Sequence, residues 1–170
     1  MVLQNLYFGD RGKKIEKAIE GINVKDALEK ARQQNKEIRE LRNEIEDSNL
    51  KLTIWEISNT VEKIIETVAK DNSKYKKAET FFEYYLPVTI KILKKYDDIE
   101  NQRLVSKDSK KFMDEAHNLI NEVDNAFKKQ LASLYQKDID DTDAEMKVFD
   151  MMLKSEGLNS NSIDFDKEDK

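Results

Sequence analysis

Between Leu50 and Val68 six aliphatic residues, Leu50, Ile54, Ile57, Val61, Ile64 and Val68, recur at spacings of four, three, four, three and four. That alternation keeps every member on one stripe of an α-helix and would scatter them over both faces of a strand, so the segment is read as a helix with a single apolar seam. A seam of this kind is stable only when another helix covers it. Few breaks are available elsewhere: the 170 residues include one proline and four glycines, too few punctuators for a fold with many turns. Hydrophobic and charged residues each make up 38% of the chain, which is enough apolar material for a core and is unlike a disordered composition. The expectation is an all-α fold, an elongated bundle of about four to five helices in one domain.

The first helix is expected from Val24, where Val24, Leu28, Ala31, Ile38, Leu41 and Ile45 form one stripe among Glu, Lys, Arg and Gln. Asp47-Ser48-Asn49 supplies a short polar break, so the first two helices should form an antiparallel hairpin with Trp55 buried beside the seam. Asp71-Asn72-Ser73 can end the second helix and cap a third that carries Ala78, Phe81, Phe82, Tyr85, Leu86, Leu93 and Tyr96. Pro87 lies inside this third helix, lacks the N–H of the ladder and crowds the Glu83 carbonyl, which predicts a kink or break near Tyr85. Ser106 or Asp108 can cap a fourth helix through Phe112, Ala116, Leu119, Val123, Phe127, Leu131 and Leu134. Asp138-Ile139-Asp140-Asp141-Thr142-Asp143 reads as the cap and acidic first turn of a last helix with Met146, Phe149, Met152 and Leu153, closed by Gly157.

Both ends stand apart from this pattern. Asn5-Leu6-Tyr7-Phe8-Gly9 resembles the remnant of a protease-site tag, so residues 1–22 are read as tag-derived or flexible. The helical domain is placed at 23–158, and the polar tail 159–170 is expected to be disordered.

Charge and composition exclude several classes. The net charge of −5 is spread over interleaved acids and bases, without the concentrated basic stripe of a nucleic-acid-binding protein. No run reaches the 18 or so apolar residues of a membrane span. The chain has no cysteine, which excludes disulfides, thiolate metal sites and a cysteine nucleophile and fits a reducing compartment.

The string Phe81-Phe82-Glu83-Tyr84-Tyr85-Leu86-Pro87, followed by Thr89, Leu93 and Tyr96, resembles the signature of the XpaC family, named for hydrolysis of 5-bromo-4-chloroindolyl phosphate. The run Ala126-Phe127-Lys128-Lys129-Gln130-Leu131, then Leu134, Asp140, Met146 to Leu153 and Gly157-Leu158, is similar to that family's C-terminal half. The resemblance covers about Val24 to Leu158. It implies an all-helical fold and genomic company with toxic-anion (tellurite) resistance proteins, from which a protein partner of that family is expected. In longer members it also implies a membrane-spanning segment upstream, hence a cytoplasmic domain at the inner face of a membrane. It supplies no catalytic residues.

A phosphate-ester hydrolase needs an activated nucleophile or a metal site. His117 is the single histidine, no Walker-type loop occurs, and no Glu-x-x-His motif accompanies the paired acids Glu79 and Glu83, which are read as a solvated face. Asp138-Ile139-Asp140-Asp141-Thr142 has the Asp-x-Asp-x-Thr pattern of haloacid-dehalogenase-type phosphatases, but that motif follows a buried strand, and here it lies among helices. It is also a poor calcium loop, with Asp143 at the turn position and Phe149 at the twelfth. Asp138 and Asp140, with an added divalent metal, are thus the catalytic candidates only under a phosphatase reading; otherwise no cofactor and no metal site is expected. His117, beside Ala116, Leu119 and Ile120, reads as a boundary residue of the core. Tyr84, Tyr85 and Tyr96 are expected to stack in the core, with Tyr84, Tyr85 and Pro87 as the candidate ligand pocket if the proline bend opens one. The alternating Lys and Glu of the first two helices are read as a solvated face, the alternative being a coiled-coil surface. The favoured role is interaction or scaffolding with a protein partner; a phosphatase is the alternative.

Overall fold

The computed structural model describes residues 2–160, with side chains from residue 9 onward. Four α-helices appear among these residues, α1 (Val2–Glu44), α2 (Ser48–Lys70), α3 (Leu86–Asn101) and α4 (Lys107–Ser155), with a 3-10 helix at Asn72–Ala78 and a π-helical turn at Phe81–Tyr85. No strand occurs among them. The fold is all-α. The chain divides into two units, one ending at Leu134 and the other beginning at Tyr135.

The core lies in the first unit. Five stripe residues of α1, from Val24 to Leu41, are buried, as are Ile45 just past its end and all six of the α2 seam. They are joined by Ala78, Phe81, Phe82, Leu86, Ile90, Leu93 and Tyr96, and by Ala116, Ile120, Phe127 and Leu134 of α4. Each large aliphatic or aromatic side chain removed from water stabilises the fold by about 1.5–3 kcal/mol. The aromatic members set the packing of the 3-10 and π segments: Phe81 meets Phe127 edge to face at 4.8 Å, and Tyr75 stacks on Phe82 at 5.4 Å.

Residues 45–47 separate α1 from α2, and Asp47 caps α2 by accepting the Leu50 N–H on Oδ1 at 2.8 Å. A polar lock crosses the two helices. The amide of Asn35 donates to the Ser58 carbonyl oxygen at 3.1 Å and to Glu62 Oε2 at 3.2 Å, and Ser58 Oγ donates back to Asn35 Oδ1 at 3.0 Å. Arg39 Nε adds a bond to Ser58 Oγ at 3.0 Å. Asn35 and Ser58 are buried, and their mutual satisfaction makes the burial tolerable. Their distances from the intervening turn are nearly equal, as neighbouring antiparallel helices require.

Before Pro87 the helix adopts a π turn, in which the Leu86 N–H reaches back five residues to the Phe81 carbonyl. The extra residue lets Phe81 and Leu86 both face the core and turns Tyr84 and Tyr85 outward, where they are half exposed. Those two tyrosines are therefore not core residues as the sequence pattern had them; Tyr96 is. Thr89 Oγ donates to the Tyr85 carbonyl at 2.6 Å, occupying an acceptor beside the proline.

Two further differences from the sequence reading have local causes. Trp55 is half exposed instead of buried, because it directly follows Ile54 and so points about 100° away from the seam. The acidic string 138–143 does not begin a new helix: α4 passes straight through it. No glycine or proline interrupts there, and Asp140 and Asp143 bond along the helix instead of capping it, to Gln136 at 2.9 Å and Lys147 at 2.9 Å. Residues 2–22 are helical, and from residue 9 to 20 their side chains are all exposed. Of the tail read as disordered, residues 161–170 lie outside the described residues.

The end of α4 matches expectation. Gly157 has φ of 69°, the Leu158 N–H reaches the Leu153 carbonyl at 2.8 Å, and the Gly157 N–H reaches that of Lys154 at 3.2 Å. This is a Schellman termination, which consumes two carbonyls left open by the last turn.

Candidate functional site

The second unit leaves most of its large apolar side chains exposed. Along α4 beyond Leu134, Tyr135, Ile139, Thr142, Met146, Phe149 and Leu153 recur at spacings of four, three, four, three and four, the same seam as in α2. In α2 that seam is fully covered. In the distal segment of α4 it is open: Ile139 is 56% exposed, Met146 63% and Phe149 64%, with Met152 at 58% beside them. No side chain of 135–155 is buried, so no packing among the described residues accounts for the apolar stripe.

The sequence pattern already contained this seam. A cap at 138–143 would split it, separating Tyr135 and Ile139 from Met146, Phe149 and Leu153.

Asp138 and Asp140 sit on the same stretch, in the interior of α4, with exposed side chains. Asp140 accepts the Gln136 amide. Among the described residues no three His, Asp or Glu side chains gather closely enough to hold a metal ion.

The other sequence candidates lie in the first unit. A depression of about 520 Å³ adjoins Pro87, lined by Gln34, Glu37, Ile90, Lys91, Lys94 and Asp98 among others. Tyr84 and Tyr85 do not line it; they meet edge to face at 5.7 Å on the surface. Lys94 is ion-paired with Glu37 across the depression, so most of its charge is already answered. Glu79 and Glu83 are exposed, as a solvated face requires. Burial, then the carboxylates of Glu83 and Glu79, push the Tyr75 hydroxyl above its ordinary pKa.

His117 acquires a neighbour that sequence proximity hides. Its Nε2 lies 3.6 Å from Oδ1 of Asp47, a carboxylate seventy positions earlier that also caps α2, a separation too long for a hydrogen bond. The two border a cleft of about 440 Å³ together with Tyr96, Ser106, Lys107, Lys110 and Asp114. Burial, then the carboxylates of Asp47, Glu100 and Asp114, push the Tyr96 hydroxyl up to about 12. A hydroxyl held protonated in this way is a hydrogen-bond donor at neutral pH and has no role as a base. No described helix is long and apolar enough to cross a membrane.

No curated protein and no solved structure matches the chain. A family model described as 5-bromo-4-chloroindolyl phosphate hydrolysis protein matches residues 14–149, from α1 through the open seam as far as Phe149. This agrees with the XpaC-type resemblance carried by Phe81 to Pro87. By that match over most of its length, the chain belongs to the 5-bromo-4-chloroindolyl phosphate hydrolysis protein family.

Proposed function

We propose that this protein is an interaction module, a helical scaffold that uses the distal segment of α4 to hold a protein partner. The open seam carries the reading, with Tyr135, Ile139, Met146 and Phe149 exposed and Leu153 half-buried at its end, since a helix whose apolar stripe faces water is the usual form of a surface awaiting another helix. The functional domain is taken as 23–158, working in the cytoplasm or at the inner face of a membrane. The partner class implied by the resemblance is the toxic-anion resistance family. Co-expression with such a protein followed by gel filtration tests this: co-elution that Phe149→Asp abolishes is the expected result, and separate elution of two folded proteins counts against it.

A second reading, hydrolysis of phosphate esters, has the family description behind it and one local observation, the cleft where His117 meets Asp47 beside Lys107 and Lys110. Asp138 and Asp140 are the alternative acids. Turnover of 5-bromo-4-chloro-3-indolyl phosphate by highly purified protein, with and without magnesium, manganese or zinc, separates the two. The interaction reading expects no turnover above a mock preparation. Activity lost in His117→Gln, or in the double substitution Asp138→Asn with Asp140→Asn, establishes an enzyme and identifies which site acts.

A further inference from the structure

The residues flanking the open seam identify what kind of helix it accepts. With Tyr135, Thr142 and Phe149 at one core position of the heptad and Ile139, Met146 and Leu153 at the other, the edge positions are Gln136, Asp143 and Asp150 on one side and Asp138, Glu145 and Met152 on the other. Four of the six are acidic and none is basic. The lysines of the segment, Lys137, Lys147 and Lys154, fall on the outer positions, from which Lys147 and Lys154 reach back to Asp143 and Asp150 at 2.9 and 2.8 Å. Exposed pairs one turn apart contribute little, and a partner's cation can replace them. The corresponding edges of the buried α2 seam are Lys51, Ser58 and Ile65, and Thr53, Thr60 and Thr67, so the acidic rim is peculiar to the open copy.

We propose that the distal segment of α4 binds an amphipathic helix of another protein whose own seam is edged by lysine or arginine. This rests on the interaction reading above and names the partner's chemistry. Self-pairing is opposed in both directions. An antiparallel pair in register places Asp143 against Asp143 and Glu145 against Glu145 of the second copy, and a parallel pair places Asp138 against Asp143 and Glu145 against Asp150. An anionic membrane is opposed for the same reason, since helices that lie on such surfaces carry cations along their polar border. Three of the five methionines, Met146, Met151 and Met152, fall in this short stretch, giving an adaptable apolar surface suited to a helical ligand.

The test titrates the full chain with two synthetic helical peptides identical except at their edge positions, one carrying Lys there and one Glu, and reads fluorescence anisotropy. The Lys-edged peptide is expected to bind at least about tenfold more tightly, with the difference shrinking as salt rises. Phe149→Asp, at an exposed position that does not disturb the core, should remove the binding. Joint replacement of Asp138, Asp143, Glu145 and Asp150 by Lys should invert the preference. Equal binding of both peptides overturns the charge assignment while leaving the interaction reading intact; binding of neither overturns both. Sedimentation as a dimer that Phe149→Asp dissociates overturns the proposal in favour of a second copy, and Phe149-dependent binding to phosphatidylserine vesicles overturns it in favour of a membrane.

Discussion

At the scale of single residues, Tyr96 shows how position governs chemistry. It is buried on α3, and that burial, then the carboxylates of Asp47, Glu100 and Asp114, push its hydroxyl from the ordinary 10.0 up to about 12. The unfolded chain therefore releases this proton first. Between those two pH values the unfolded state binds fewer protons than the native state, so stability declines as pH rises through the window and is complete below it. Denaturant midpoints measured from pH 9 to 12 should fall, with phenolate absorbance rising alongside. Tyr96→Phe should flatten the slope only in part, because Tyr75 is shifted in the same direction. His117 illustrates the opposite relation to sequence. Its place beside apolar neighbours was legible, whereas its contact with Asp47 was not, since nothing in a linear pattern joins residues held together only by the packing of α4 against the turn before α2.

At the scale of elements, the hairpin of α1 and α2 combines a non-specific force with a specific one. The two stripes supply burial, and the Asn35–Ser58 pair ties one particular register. Asn35→Ala should therefore destabilise by about 1–3 kcal/mol, the cost of leaving a buried partner unsatisfied, as read by chemical denaturation. Asn35→Ala combined with Ser58→Ala should recover part of that loss. The stripes themselves were readable because a helix of constant pitch converts spacing directly into facing; Val24 to Ile45 and Leu50 to Val68 were all placed correctly. The same rule failed where pitch changes. Across the π turn the extra residue moves Tyr84 and Tyr85 off the core face, and no propensity of those residues signals it. At 138–143 the error had another origin: residues that prefer caps were read as capping, although a helix already running can absorb several of them when each finds a partner one turn away.

At the scale of the whole molecule, the core belongs to one unit and the open seam to the other. Apolar burial is what holds a helix closed against local opening, so backbone amides of residues 54–68 should exchange with solvent only at rates set by global unfolding. Those of 138–153 should exchange orders of magnitude faster, as followed by mass spectrometry, and should slow when the Lys-edged peptide is bound. Comparable protection of both stretches in the free protein would count against an open seam.

The Schellman stop at Gly157 also gives the open seam a fixed length. An added β-carbon there meets nothing within 4 Å, so it is the backbone conformation and not lack of room that favours glycine. From Tyr135 to Ser155 the helix offers about 30 Å of track, close to six turns. On the interaction reading proposed above, the terminus would act as a ruler, matching the seam to a partner helix of about that length.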